Sequence, residues 1–156
     1  MTNAERHPAR NISIGLVDGL TIPLALAAGL SRIVTTVSPV IIACLAATVA
    51  GAITMSVGGF FQSRKYAPSQ NSAGAAFFIG LGYLLGGVSV VLPYFWKDLP
   101  LEAFERTAVH TMIFLFFAGY DEGTQHGSNG WLNGLRVCVT AAIVAAAAYF
   151  IAGLFR

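Results

Sequence analysis

One acidic residue, Asp18, lies inside the first apolar segment of the chain, NISIGLVDGLTIPLALAAGLSRI. A carboxylate within a lipid bilayer is expensive to desolvate, and ionisable residues in membrane segments are functional candidates by default. Gly15 and Thr21 are each three residues away, so on a helix they share a face with Asp18. The sequence therefore predicts that Asp18 belongs to a functional site.

Met55 is the second candidate, in the apolar segment AGAITMSVGGFFQSRKY. A thioether combined with a carboxylate suits a borderline divalent cation such as Fe²⁺ better than Mg²⁺ or Ca²⁺, which prefer hard oxygen ligands. The alternative is that Met55 only fills space in the helix packing, as methionine commonly does. The hydroxyl groups of Thr21, Thr54 and Ser56 are secondary candidates, which would bind a cation through water.

Acidic residues outside the apolar segments have less specific explanations. Asp121, Glu122 and His126 fall in DEGTQHGSNG, which is predicted to be a connector. Two interpretations stay open for these three residues: a solvated turn, or a funnel that raises the local concentration of cations. Glu102 is expected to pair with Arg106 at i,i+4 near the start of a helix, which is a structural role.

These residues lie in a chain that is very apolar for its length. It has 156 residues, of which 56% are hydrophobic and 10% charged, and its mean hydropathy is +0.70. A soluble domain of this length cannot bury that much apolar surface. A helix of about 20 apolar residues crosses a bilayer core of about 30 Å. The apolar runs are continuous and do not alternate with polar residues, which favours helices over barrel strands.

The sequence thus predicts an all-α membrane protein, with five transmembrane helices in a single domain, residues 1–156. The predicted helices cover about residues 11–33, 37–61, 73–96, 103–120 and 131–155. Gly15-xxx-Gly19 and Gly82-xxx-Gly86 are predicted to be close helix-packing contacts. By the positive-inside rule the N-terminus is predicted to be cytoplasmic, and five crossings then place the C-terminus outside.

Several classes of site are not indicated. The net charge is +2 and no basic stripe is interleaved with aromatic residues, so nucleic-acid binding is not predicted. Cys44 and Cys138 lie in apolar segments, far from CxxC spacing, and are predicted to be buried structural thiols. His110 is alone in an apolar helix and is predicted to be a core residue. No nucleophile and base pair is visible, so an enzyme is not predicted, and neither is a resident cofactor.

With these residues in view, the chain resembles the vacuolar iron transporter family. The resemblance is carried by VDGLTIPLALAAGLS and AGAITMSVGGFFQSRKY, and then, in the same order, by IGLGYLLGGVSVVLPYF, FFAGYDEG and AAIVAAAAYFIAGLF. It implies a homodimer of five-helix subunits with the metal path between them, which exports Fe²⁺ or Mn²⁺ from the cytosol in exchange for protons. It also implies that Asp18 and Met55 are metal ligands.

Two departures from the family pattern affect how metal would reach the membrane path. Vacuolar members carry a Glu-rich cytoplasmic helical insert after the second helix, whereas here only SRKYAPSQNS joins the second and third segments. Asp121 and Glu122 stand where a basic residue is usual. The chain is therefore interpreted as a short member of the family that lacks the insert.

The predicted function is proton-coupled export of Fe²⁺ or Mn²⁺ by a homodimer in a lipid bilayer. A bacterial inner membrane is the predicted location. The alternative is a membrane scaffold or accessory subunit that keeps the fold without transporting, an interpretation suggested by the missing insert.

Overall fold

The computed structural model describes the backbone of residues 3–66, 71–125 and 127–155, and the side chains of residues 11–65, 71–125 and 127–155. These ranges contain five α-helices, a single turn of 3-10 helix and no strand, which confirms the all-α prediction. The helices are α1 (Asn3–Ile33), α2 (Ser38–Tyr66), α3 (Ser72–Val91), α4 (Pro100–Gln125) and α5 (Gly130–Leu154), with the 3-10 turn at Leu92–Phe95.

Four of the helices in the described part of the chain are long and apolar enough to cross a membrane, judged by length and composition. The four spans are Asn11–Ile33, Ser38–Lys65, Ser72–Phe95 and Gly130–Leu154, close to four of the five predicted segments. Although α4 has 26 residues, it carries charged side chains near both ends and is not one of the four.

Local sequence signals account for several helix ends. Asn71 caps α3 by accepting a hydrogen bond from the backbone N–H of Gly74 at 3.1 Å. Asn129 caps α5 in the same way, accepting from the N–H of Trp131 at 3.1 Å. Both caps satisfy backbone donors that a helix leaves unpaired at its start. The α-helix α3 ends shortly before Pro93, because proline has no N–H with which to continue the helix.

The helix at the centre of the fold is α1, which contacts the other four α-helices. Its closest neighbour is α3, and glycines on both helices allow their backbones to touch. A Cβ added at Gly15 or Gly19 would clash with the backbone of α3 at Ile79 or Tyr83. Gly82 and Gly86 of α3 lie equally close to the backbone of α1. The predicted small-residue contacts are confirmed, and they join two helices of the same chain.

A second set of glycines brings α4 and α5 together. A Cβ added at Gly119 would lie 3.0 Å from the Cα of Gly134, and one at Gly123 would lie 3.0 Å from the Cα of Gly130. The side chain of Asn133 donates a hydrogen bond from Nδ2 to the carbonyl oxygen of Gly119 at 2.8 Å. This bond satisfies a polar group in an otherwise apolar contact, so the two helices are fixed in register.

At the other end of the bundle, Arg32 in the last turn of α1 is held against α5. Its guanidinium lies 4.3 Å from the centre of the Tyr149 ring and donates a hydrogen bond to the carbonyl oxygen of that residue at 3.2 Å. The guanidinium also occupies the space that a side chain at Gly153 would need. Favourable cation–π geometry and the glycine together explain why this cation packs against an apolar helix.

The structure corrects two expectations about charged residues. The fourth helix was predicted to end near residue 120, but α4 continues to Gln125, so Asp121 and Glu122 lie on the helix. Glu102 was expected to pair with Arg106, but its carboxylate lies 3.0 Å from the Nζ of Lys97. Lys97 precedes α4, and the bend of the chain before Pro100 brings it back over the first turn.

The residues predicted to be structural are largely placed as expected. Cys44 is fully buried, and its thiol donates to the carbonyl oxygen of Pro23 at 3.6 Å. Cys138 is half-buried and donates to the carbonyl oxygen of Met112 at 3.4 Å. The ring of His110 is half-buried and packs edge-on against Phe114, with 5.1 Å between ring centres.

Candidate functional site

Asp18 lies within the first apolar span, beside the face of α1 that packs on α3. Its side chain is half-buried. Ile14 and Ile22, one turn before and one turn after on the same edge of the helix, are 37% and 51% exposed. Asp18 therefore stands on an edge of the folded chain, where a cation or a second chain can approach it.

Tyr83 packs against α1 next to Asp18. It is 1% exposed and belongs to α3. Its backbone packs against Gly19, the residue after Asp18, and its phenol ring extends to Gly51 of α2. The phenol is also close enough to the Asp18 carboxylate for the two groups to interact electrostatically. Tyr83 thus connects the helix that carries Asp18 with the helix that carries Met55.

Met55 lies one turn beyond Gly51, and its side chain is half-buried. Four residues of helix advance the chain by about 6 Å and turn it by only about 40°, so both residues face a similar direction. Gly51 packs against the phenol of Tyr83, and Gly59 packs against Ile79 of the same neighbouring helix. The side chain of Met55 therefore leaves α2 on the side that faces α3, one helical turn from the glycine that contacts the Tyr83 phenol.

The three secondary hydroxyl candidates are less favourably placed. The hydroxyls of Thr21 and Thr54 each donate to the carbonyl oxygen four residues earlier in their own helix, at 2.8 and 2.9 Å. Thr54 is exposed, whereas the nearby residue Ser56 places its Oγ against Gly80 of α3. The structure therefore does not bring Thr54 and Ser56 to one face, because neighbouring positions on a helix point in different directions.

The acidic residues of α4 have separate roles. Asp121 is exposed, and its carboxylate accepts hydrogen bonds from Gln125 at 2.6 Å and from Ser13 at 3.4 Å. Glu122 is half-buried and lies within electrostatic range of Asp18. Of the predicted acidic group, Glu122 is thus the residue whose charge acts on Asp18, while His126 lies outside the described residues.

The groups gathered around Asp18 are chemically suited to a divalent cation. They are two carboxyl groups, Asp18 and Glu122, and the phenol of Tyr83, which interact electrostatically, and Met55 lies one helical turn from the glycine that contacts the phenol. No three His, Cys, Asp or Glu side chains converge in the ranges that the structure describes. A cation that neutralises two mutually repelling carboxylates is strongly attracted to such a site.

Sequence reasoning missed Tyr83 and underestimated Glu122. A phenol in the glycine-rich segment IGLGYLLGG was a possible signal, because a buried hydroxyl within a membrane needs a polar partner. Nothing in the sequence pairs that residue with Gly51. Glu122 was assigned to a connector because the drop in hydropathy was interpreted as the end of the helix.

Similarity to known proteins covers most of the chain. The model of the VIT family matches residues 9–73 and 62–153. Vacuolar iron transporter 1 of Tulipa gesneriana is 26% identical over 92% of this chain and 85% of its own length. Vacuolar iron transporter 1 of Arabidopsis thaliana is 27% identical over 92% of this chain and 84% of its own length. Vacuolar iron transporter cccA of Arthroderma benhamiae is 50% identical over 52 residues, 33% of this chain and 18% of its own length.

The two matched segments of the family model meet where α2 gives way to α3. The alignments with both plant relatives run over 210 residues although this chain has 156, so the relatives carry additional residues. Here the helices end and begin at Tyr66 and Ser72, which leaves residues 67–71 to connect them. The matched segments cover most of the sequence, and the chain belongs to the VIT family.

Proposed function

We propose that this chain is one subunit of a homodimeric transporter that moves Fe²⁺, or Mn²⁺, out of the cytosol in exchange for protons. The observation that carries the proposal is the position of Asp18, half-buried within a membrane span and in electrostatic range of Glu122. Membership of the VIT family and the names of the similar plant proteins, vacuolar iron transporters, support metal-ion transport.

Exchange for protons follows from the chemistry of the carboxyl groups. A divalent cation binds carboxylates in their ionised form, so a site that holds protons when empty releases them when metal enters. The carboxyl groups of Asp18 and Glu122 repel each other when both are ionised, and either a proton or a metal ion relieves the repulsion. Alternating occupancy by protons and metal couples the two fluxes.

A homodimer accounts for the exposed edge of α1. Two-fold symmetry would place two copies of Asp18 and Met55 around one axis and so complete the ligand set for a single cation. Gly15 and Gly19 are already used by α3, so Ile14 and Ile22 are the residues of α1 available for a contact between subunits.

The fifth crossing is assigned to α4, although its composition alone does not require it. Its buried residues follow one face of the helix: Pro100, Ala103, Thr107, Thr111, Leu115, Ala118, Gly119 and Gly123. This face packs on α1 and α5, both of which are candidate spans, so α4 runs through the same layer. Five crossings in a bacterial inner membrane, with the N-terminus in the cytoplasm, complete the proposed topology.

The proposal is tested by measuring uptake of Fe²⁺ and Mn²⁺ into proteoliposomes with and without a pH gradient. Uptake that increases with a gradient of the correct direction, together with metal-driven proton movement in the opposite direction, is the expected result. Protein that assembles as a dimer and carries neither cation under any gradient would contradict the proposal. That outcome would favour the scaffold or accessory subunit.

Replacing Met55 with Leu is expected to reduce transport of Fe²⁺ more than it reduces stability. The change removes a soft ligand, while the similar volume keeps the packing, and such substitutions usually cost less than about 1.5 kcal/mol. Initial rates of Fe²⁺ uptake and the thermal unfolding temperature in detergent provide the two measurements. The matched control is Met112→Leu, a methionine packed among α1, α4 and α5. Normal transport by Met55→Leu would show that Met55 only fills space.

Single cysteines on the exposed edge of α1 are expected to form disulfide crosslinks between subunits. The variants Ile14→Cys and Ile22→Cys, made in a background without Cys44 and Cys138, are expected to react because these positions are exposed. Leu24→Cys is the control, because this side chain is fully buried. The measurement is dimer formation on a denaturing gel after mild oxidation, with and without Mn²⁺.

Metal is expected to slow crosslinking at Ile22 by occupying the nearby Asp18 site. Equal reaction at Leu24, or no crosslink at any of the three positions, would contradict a dimer contact along this edge.

A further inference from the structure

The side chain of Tyr83 is fitted to its position by glycines on two other helices. Its backbone lies against Gly15 and Gly19 of α1, and its ring lies against Gly51 of α2. The atoms nearest to a Cβ added at Gly51 would be Cζ, the hydroxyl oxygen and Cε1 of the phenol. The backbone of Tyr83 therefore packs on the helix of Asp18, and the hydroxyl end of its side chain lies against the helix of Met55.

The phenol of Tyr83 is buried among apolar helices, where a hydroxyl is unfavourable without a polar partner. Tyr83 is 1% exposed, and the carboxylate of Asp18 lies within electrostatic range of its phenol. A phenylalanine would fill the same space without that hydroxyl. The hydroxyl therefore lies where α3 meets α2, at Gly51, and Met55 is one helical turn further along α2.

We propose that the hydroxyl of Tyr83 is a specificity-determining group of the cation site, a neutral oxygen donor between Asp18 and Met55. This inference rests on the proposed function and adds to it the basis of cation choice. Phenol and carboxylate oxygens are hard ligands that suit Mn²⁺ and Fe²⁺, whereas the thioether of Met55 suits softer cations such as Cd²⁺. The balance between the Tyr83 oxygen and the Met55 sulfur therefore sets the selectivity of the site.

The test is the ratio of Mn²⁺ to Cd²⁺ in the variant Tyr83→Phe, which removes the oxygen and keeps the ring. Both cations are measured by uptake into proteoliposomes and by equilibrium binding to protein in detergent. The preference for Mn²⁺ over Cd²⁺ is expected to fall roughly tenfold, the scale of one lost polar contact. If Tyr83 had a purely structural role, the substitution would lower the uptake and binding of both cations together and leave their ratio unchanged.

Gly51→Ala provides an independent route to the same change, since its Cβ displaces the phenol while the tyrosine stays in the sequence. It is expected to lower the preference for Mn²⁺ in the same direction. Gly59→Ala is the matched control on the same helix, because its Cβ meets the flexible end of Ile79, with the next contacts at 3.7 Å or more. The double variant Gly51→Ala/Tyr83→Phe is expected to change the ratio no more than Tyr83→Phe alone, because both changes act on one hydroxyl.

The outcomes test the role of Tyr83 separately from the proposed transport function. A lower Mn²⁺ preference in both Tyr83→Phe and Gly51→Ala, but not in Gly59→Ala, supports it. An unchanged ratio in folded Tyr83→Phe, whether in uptake or in binding, overturns it even if transport is normal. If the unmodified protein binds both cations but transports neither, the proposed function fails, and the binding ratio still decides the role of Tyr83.

Discussion

Replacing Asp18 with Asn is expected to abolish metal flux while the protein stays folded. The substitution keeps the shape of the side chain and removes the negative charge that binds the cation and the carboxyl group that carries the proton. The neighbouring Glu122 retains one carboxyl group, but it lies on another helix and cannot restore the pair. The measurement is uptake of Fe²⁺ and Mn²⁺ into proteoliposomes, compared with empty liposomes.

The matched control for Asp18→Asn is Asp98→Asn, the same substitution at an exposed acidic residue between the 3-10 turn and α4. This variant is expected to transport like the unmodified protein, because the Asp98 side chain is exposed on the connector before α4. Yield, dimer content and unfolding temperature of both variants are measured alongside flux. Transport by Asp18→Asn at the rate of the unmodified protein would refute coupling through Asp18.

Replacing Gly82 with Ala is expected to disrupt the packing of α1 on α3, with a loss of stability of about 3 kcal/mol, the upper end of overpacking effects. The added Cβ would clash with the carbonyl oxygen of Ile12 and lie 3.0 Å from the backbone nitrogen of Leu16. Backbone atoms cannot rotate away as a side chain can, so the two helices must separate. The measurement is unfolding temperature in detergent, with the yield of monodisperse protein as a second readout.

The control for Gly82→Ala is Gly58→Ala, because a Cβ at this position of α2 has no atom within 4 Å. Alanine also favours helix over glycine, so this variant is expected to be at least as stable as the unmodified protein. Gly82→Ala with an unchanged unfolding temperature would mean that the contact between α1 and α3 is looser than the structure places it. Transport by Gly82→Ala is expected to fall together with stability, because Asp18 and Tyr83 are positioned by the same contact.

Much of the architecture is predictable from composition and local pattern. The apolar runs locate four spans to within a few residues, because a bilayer requires a continuous apolar length of helix. The pairs Gly15-xxx-Gly19 and Gly82-xxx-Gly86 identify close-packing surfaces, because only small residues let two helix backbones touch. They do not say which helices meet, and here they meet within one chain.

Helix ends and charge partners are where sequence reasoning was wrong. The hydropathy falls at Asp121, yet α4 continues to Gln125, since hydropathy records where the membrane ends and not where backbone hydrogen bonding ends. The packing of Gly123 on Gly130 and the bond from Gln125 to Asp121 hold this extra turn in the helix. Glu102 likewise pairs with Lys97 because the chain bends before α4, and that geometry lies outside the i,i+4 rule.

The sequence by itself identified Asp18 as the main functional candidate. A carboxylate in a membrane segment is unfavourable wherever the helices pack, so Asp18 stands out without a structure. Only the tertiary structure decided what surrounds it. Glu122 is more than a hundred residues away in sequence, and Tyr83 of a third helix packs against Gly19, next to Asp18, and against Gly51. Such contacts depend on how helices turn and cross, which side-chain periodicity within one helix cannot specify.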